Sequence, residues 1–147
     1  MKEITEHQLI EKLKTIRTPS ETEAFIKKYV PKEHCITFYE YLQQYIADKA
    51  LPVADVMNNS RINKNYGYNI INGTRKNPGR DKVLALCIGA GMDFDEVQTA
   101  LRLAAHPLID PRNERDVRIT VAVNNGTRDV LKLNIILEEK GLEPLQV

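Results

Sequence analysis

The 147-residue chain has no tryptophan and only two cysteines, Cys35 and Cys87, which are far apart in the sequence. They form neither a CxxC pair nor a disulfide-rich framework, so a reduced cytoplasmic setting is the simpler expectation. No apolar run approaches the ~18 residues that a membrane span requires. The charged, amphipathic start MKEITEHQLIEKLK is unlike a signal peptide. We therefore expect a cytoplasmic protein with no membrane association.

The sequence also lacks the residue groupings that enzymes and metal sites use. His7, His34 and His106 are too scattered to form a zinc site. His34 is followed by Cys35, but no third group lies near them in sequence, so a packing or surface role is favoured over nucleophilic catalysis. No glycine-rich phosphate loop is present. We predict no enzymatic activity, no metal and no cofactor.

The net charge of +1 conceals an uneven distribution along the chain. Residues 1–50 are neutral overall, and residues 83–147 carry a net charge of −3. Residues 51–82 contain six Lys or Arg and two Asp, for a net charge of +4. A basic centre between neutral and acidic segments predicts one local surface that binds a polyanion. The simpler alternative is a solvated loop with surplus basic residues.

Nearly every segment has a helical spacing of apolar residues, and most are preceded by a helix-capping residue. Ser20 with Glu23, and Thr37 with Glu40, have the spacing of a capping box. RITVAV (118–123) is rich in β-branched residues, but a lone strand has no partner, so we predict a helix there as well. The pattern predicts about nine helices and an all-α fold. Further predicted helix starts are Pro52, Asn63, Asp93, Asp110-Pro111 and Thr127, and predicted ends include Gly73, Gly89 or Gly91, and Gly141.

The stretch LPVADVMNNSRINKNYGYNIING, which begins at Leu51, contains two short predicted helices, and the second has a polar outward face. Its apolar residues include Leu51, Val56 and Ile62, and its ending IINGTR is followed closely by Pro78. This order and spacing resemble the lambda-repressor-like, or Xre-type, helix-turn-helix family. The following DKVLALCIGAGMDFDEV is similar to that family's fourth and fifth helices. The resemblance covers roughly residues 37–100.

The resemblance implies an all-α, lambda-repressor-like helix-turn-helix bundle at residues 37–105. Helical extensions flank it, an N-terminal annex at 1–36 and a C-terminal helical hairpin at 106–147. It implies a sequence-specific regulator of transcription that inserts the helix 63–72 into the major groove of double-stranded DNA. Because one such domain reads only half a site, a homodimer on a pseudo-palindrome is the expected working form.

The resemblance also assigns roles to residues of the basic segment. Lys64, Asn65 and Asn69 are expected to face base edges, while Tyr66 and Tyr68 offer a hydroxyl to phosphate or a ring to a thymine methyl. An alternative for Tyr68 is inward packing, and an alternative for Arg80 is an ion pair with a nearby acid. The phosphate backbone is expected to be held by Asn72, Arg75, Lys76 and Arg80. The full predicted DNA-binding set is Asn63, Lys64, Asn65, Tyr66, Tyr68, Asn69, Asn72, Arg75, Lys76 and Arg80.

Three positions depart from the family's pattern. Val53 stands where the family often has Gln, and Met57 where it usually has a small Ala, so the two helices are expected to open slightly. Arg61 stands where the family often has Gly. Because a left-handed backbone strains an arginine, we expect the turn to be redrawn through Asn59-Ser60. These departures favour a second hypothesis, a protein-interaction adaptor with a degenerate helix-turn-helix. A third is an antitoxin-like regulator that combines both activities.

The C-terminal segment has a surplus of apolar residues. VRITVAV (117–123) is apolar nearly all round, and VLKLNIILEE (130–139) adds six aliphatic side chains. A two-helix hairpin hides only one face of each helix, so the remaining faces must cover another surface. That surface is either the preceding helices of the same chain or the same hairpin of a second chain. We expect self-association, with a protein partner at these helices as the further possibility.

Overall fold

The structure, a computed structural model, describes residues 4–30 and 37–147. In those residues it contains nine helices and no strand. This confirms the predicted all-α class, including the helical assignment of RITVAV. No helix in the two described ranges is long and apolar enough to cross a membrane. The His34-Cys35 pair considered above lies outside the described residues.

The chain divides into two units, Met1–His34 and Cys35–Val147. The first contains α1 (Glu6–Leu13) and α2 (Pro19–Tyr29). Residues 106–147 belong to the second unit, together with the segment that precedes them. The helices of the second unit are α3 (Phe38–Asp48), α4 (Val53–Ser60), α5 (Lys64–Ile71), α6 (Arg80–Ala90), α7 (Phe94–Leu103), α8 (Glu114–Asn124) and α9 (Val130–Glu139).

The predicted capping box of Ser20 with Glu23 is wrong. Helix α2 is capped by Thr18, whose Oγ1 accepts from the Glu21 N–H at 3.1 Å. Pro19 then occupies the first helical position, where its fixed φ suits the helix and its missing N–H costs nothing. A proline at that position therefore outweighs the Ser-x-x-Glu pattern that begins one residue later.

The predicted starts of α8 and α9 are also displaced. Asn113 caps α8 instead of Asp110-Pro111, and Asp129 caps α9 instead of Thr127. Each side chain accepts from a backbone N–H two or three residues further on. Both segments contain more than one good capping residue, so local preference alone does not choose between them. By contrast, the predicted caps at Asn63 and Asp93 are confirmed.

Helix α6 is the buried centre of the second unit. Its residues 83–90 are all buried, and it packs against α4, α7 and α9. Gly89 lies where α4 crosses it. A Cβ at Gly89 would lie 2.7 Å from the Val56 carbonyl oxygen and 3.0 Å from the Ser60 nitrogen. The backbones of α4 and α6 are therefore in direct contact, and this contact positions α4.

The C-terminal hairpin of α8 and α9 packs against the same chain and still leaves apolar surface exposed. It contacts α4, α6 and α7. Its inward side chains are Ile119, Ala122, Val123, Val130, Leu133 and Leu137, all buried. Its outward apolar side chains are 40% to 50% exposed and comprise Val117, Val121, Leu131, Ile135 and Ile136. Burial within the chain thus accounts for one face of each helix, as expected for the intramolecular alternative, and leaves the other face uncovered.

Two reciprocal ion pairs join the start of α6 to α8. Arg80 donates to both carboxylate oxygens of Asp116, at 3.0 and 2.9 Å. Its neighbour Asp81 accepts two hydrogen bonds from Arg115, at 3.2 and 3.0 Å. Arg80 also donates to the Pro107 carbonyl at 2.9 Å. Such two-point arginine–carboxylate pairs are geometrically specific, so they fix the position of α8 relative to the start of α6.

The carboxylate of Asp116 is expected to make the stability of the protein depend on pH. Burial by itself raises the pKa of Asp116. Hydrogen bonds from Arg80 and the Asp110 N–H, with the nearby positive charges, more than offset this, so the pKa lies below its ordinary value. A carboxyl group whose pKa is lowered in the folded protein contributes fully to the free energy of unfolding above its unfolded pKa of about 3.9. That contribution is lost as the pH falls through the folded pKa.

We expect Asp116→Asn to lower the free energy of unfolding by about 1–2 kcal/mol at pH 7. Urea titrations at a series of pH values should show the gap to the unsubstituted protein narrowing below about pH 4, where both carry a neutral side chain. Glu138→Gln, on the exposed side of α9, is the control and should change little at any pH. A gap that stays constant down to pH 2 contradicts the prediction.

Candidate nucleic-acid interface

Two short helices, α4 and α5, are joined by a turn in which Arg61 has a left-handed backbone, with φ of +62°. The expectation that the turn would be redrawn through Asn59-Ser60 is wrong. Arg61 is held by a two-point ion pair with Asp129, Nε to Oδ1 at 2.9 Å and Nη2 to Oδ2 at 2.8 Å. A left-handed conformation costs an L-residue about 1–2 kcal/mol, and Arg61 adopts it with its side chain anchored to Asp129.

The contact between α4 and α5 is made by a large and a small side chain. Met57 of α4 is 1% exposed. A Cβ at Gly67 of α5 would overlap Met57 Sδ and lie 3.2 Å from its Cε. The bulk of Met57, which was expected to open the two helices, is therefore accommodated by the missing side chain of Gly67. Sequence reasoning noted Met57 and missed Gly67, although a glycine inside a short helix was the available signal.

The outward face of α5 carries a stripe of polar and aromatic side chains. Lys64, Asn65, Tyr68 and Asn69 are all exposed, and their spacing places them on one side of the helix. Tyr68 is 42% exposed, so its alternative of inward packing is wrong. Of the two tyrosines in α5, Tyr66 is the one that packs against the core. The stripe offers amide and ammonium groups of the kind that pair with base edges in a major groove.

Asn63 and Asn72 lie at the two ends of α5 and have capping roles. The Oδ1 of Asn63 accepts from the N–H of Asn65 at 3.0 Å, which fixes the first turn of the helix. The Oδ1 of Asn72 accepts from the N–H of Thr74 at 2.9 Å. With each side-chain oxygen directed to the backbone, the amide nitrogen of each is the group suited to donating to a ligand. A phosphate oxygen is an acceptor of the appropriate kind.

The side chains of Arg75 and Lys82 both lie over the ring of Tyr66. The guanidinium carbon of Arg75 lies 4.4 Å from the ring centroid, and Lys82 Nζ lies 5.2 Å from it. Both distances are within the range of a cation–π interaction, which orders long basic side chains. Lys82 also donates to the Gln146 carbonyl at 3.0 Å. It was missing from the predicted site, and its only signal was its membership of the basic segment.

Arg80 does not belong to this surface. Its guanidinium is bound to Asp116 and to two backbone carbonyl groups, and 20% of its side chain is exposed. The ion pair considered as the alternative for Arg80 is the arrangement observed. Lys76 is exposed in the loop between α5 and α6.

The tertiary structure changes the electrostatic character of the basic segment. Two of its six cations, Arg61 and Arg80, form ion pairs with acids of the C-terminal hairpin. Val53, at the start of α4, packs against the core and adds no charge. The cations on or beside the face of α5 are Lys64, Arg75, Lys76 and the half-buried Lys82. A polyanion at this face would therefore meet three or four cations, fewer than the sequence count suggests.

Comparison of the chain with protein-family models, with curated proteins and with solved structures finds no significant match in any of the three.

Proposed function

We propose that the protein is a sequence-specific DNA-binding regulator of transcription in which α4 and α5 form a helix-turn-helix of the lambda-repressor-like type. The observation that carries the proposal is the exposed stripe of α5, with Lys64, Asn65 and Asn69 on one face and cations beside it. A helix with this face fits the major groove, where asparagine pairs with adenine and lysine with guanine. The cations beside the helix are suited to the phosphates.

The working form that we propose is a homodimer on a pseudo-palindromic site, because one short helix reads few base pairs. The outward face of α8 is the favoured contact. Val117 and Val121 form an exposed apolar ridge there, flanked by cavities of about 500 and 350 Å³. Ridges that pack into grooves are the usual geometry of helix pairs.

Substitutions on α5 and beside it are expected to have different effects on DNA binding. On a duplex selected from a randomised pool, Lys64→Ala and Asn65→Ala should each weaken binding by about 1–3 kcal/mol and relax the base preference. Arg75→Ala should weaken good and poor sites alike, because a phosphate contact carries no sequence information. With Lys64 assigned to a base edge, three cations remain for phosphates, so the slope of log K against log salt should be about −3 per protomer.

Gel-shift titrations of the full chain measure affinity, salt dependence and stoichiometry together. Arg102→Ala is the matched control, because Arg102 is exposed on α7 and belongs neither to the face of α5 nor to the lining of the two cavities beside α8. It should leave affinity and salt slope unchanged. A flat salt response, or equal losses in Arg102→Ala and Arg75→Ala, contradicts the proposed surface. A change of preferred sequence in Arg75→Ala shows that Arg75 contacts bases instead of phosphates.

The second candidate is a protein-interaction adaptor whose helix pair does not bind DNA. The observation that favours it is the apolar outward face of α8 and α9, together with the pairing of Arg61 and Arg80 by acids of the hairpin. An antitoxin-like regulator would use both surfaces. Failure of the randomised pool to yield any selected duplex supports the adaptor, and DNA binding that a protein partner alters supports the antitoxin-like role.

A further inference from the structure

The turn before α5 is connected to a distant part of the chain by one ion pair. Arg61 and Asp129 are 68 positions apart, and the two hydrogen bonds between them are 2.9 and 2.8 Å long. Asp129 also caps α9, since its Oδ1 accepts from the Leu131 N–H at 2.9 Å. Helix α9 in turn packs against α4 and α6. One carboxylate therefore joins the start of α9 to the turn that leads into α5.

The position of Arg61 in the turn explains why this pair matters. Its φ of +62° is a conformation that glycine adopts readily and arginine does not. Arg61 lies two residues before Asn63, whose side chain caps α5. A change of φ at Arg61 would redirect the chain entering α5, and with it the cap and the exposed stripe. The direction of α5 thus depends on whatever holds Arg61 in the left-handed region.

We infer that Asp129 is a positioning residue, through which the C-terminal hairpin sets the orientation of α5 and thereby regulates DNA binding. The consequence for DNA rests on the proposed function, whereas the control of the turn does not. A partner that displaces the start of α9 would release Arg61 and loosen α5. The hairpin would then act on α5 from outside its DNA-binding face.

Two substitutions separate this role from a merely structural one. Asp129→Asn keeps a good cap for α9, because asparagine caps helices as well as aspartate does, but it removes the charge that holds Arg61. Arg61→Gly removes the need for the pair, because glycine adopts φ near +60° without strain. If Asp129 acts through the turn, Arg61→Gly should rescue Asp129→Asn.

Hydrogen exchange of the full chain without DNA provides the first readout. In Asp129→Asn the Gly67 N–H, which donates to the Asn63 carbonyl at 2.8 Å, should exchange faster by roughly two- to fivefold, the range expected for the loss of a partly exposed ion pair. The same substitution in the Arg61→Gly background should leave that rate unchanged. Equal acceleration in both backgrounds, or none in either, overturns the inference. If Asp129→Asn alone fails to fold, a folded double variant supports it and an unfolded one overturns it.

DNA affinity on a selected duplex provides the second readout. Asp129→Asn should weaken binding by roughly two- to fivefold, and the double variant should bind like Arg61→Gly alone. Unchanged affinity with altered exchange shows that the turn is controlled but that its control does not regulate DNA binding, which overturns the regulatory part. If even the unsubstituted protein binds no DNA, the proposed function fails, while the exchange result still decides whether Asp129 controls the turn.

Discussion

Replacing Gly89 with alanine is expected to lower the free energy of unfolding by about 2–3 kcal/mol. The added methyl would lie 2.7 Å from the Val56 carbonyl oxygen and 3.0 Å from the Ser60 nitrogen, so α4 must move away from α6. Both obstructing atoms belong to the backbone and cannot rotate aside as a side chain does. The gain of up to about 1 kcal/mol that alanine normally brings to a helix interior is too small to compensate.

Gly79→Ala is the matched control for this prediction. Gly79 precedes the same helix, its φ is −63°, and a Cβ there would have no neighbour within 4 Å. We expect its effect to stay below about 1 kcal/mol, the usual cost of a poorer cap. Urea unfolding of both variants supplies the comparison. Equal effects of the two substitutions would show that the α4–α6 contact is looser than the structure indicates.

The effect of Gly67→Ala on the free energy of unfolding is expected to change sign when Met57 is also replaced with alanine. Gly67→Ala alone should destabilise the protein by about 1 kcal/mol, because the new methyl overlaps the end of the Met57 side chain, which is flexible but buried and must re-pack. Met57→Ala alone should cost about 2–5 kcal/mol, because it leaves a cavity between α4 and α5. In the Met57→Ala background the overlap is absent. Gly67→Ala should there stabilise the protein, by up to about 1 kcal/mol from helix propensity.

The unsubstituted protein, the two single variants and the double variant form a double-mutant cycle. Their free energies of unfolding can be measured with urea under one set of conditions. The interaction energy between the two sites should be at least ~1 kcal/mol, as is usual for residues in direct contact. Additive effects, with Gly67→Ala destabilising in both backgrounds, would mean that Met57 does not occupy the space next to Gly67. In that case the close packing of α4 on α5 has another origin.

The outward face of α5 could be predicted from the sequence, whereas the packing and the charges around it could not. An outward polar stripe follows from helical periodicity, and Lys64, Asn65 and Asn69 are exposed as that periodicity requires. The periodicity did not decide which tyrosine packs inward. Tyr66 does, beneath the Arg75 and Lys82 cations, and Tyr68 is exposed. That choice depends on neighbours from other parts of the chain.

The sequence by itself determined the helical class and several helix ends, because these depend on contacts within a few residues. The hydrogen bonds that cap α5 at Asn63 and α7 at Asp93 span two or three positions and are visible as local patterns. Where two capping residues competed, as before α9, local pattern did not choose between them. Asp129 is the cap there, and it also binds Arg61.

Only the tertiary structure decided the conformation of the turn and the charge around α5. Arg61 has a left-handed backbone next to an acid 68 positions away, and Arg80 pairs with Asp116, 36 positions away. The need for glycine at positions 67 and 89 is explained only by their neighbours in space. Met57 lies against Gly67, and the backbone of α4 lies against Gly89. Ion pairs and close contacts depend on distances in space, which a linear pattern of residues does not specify.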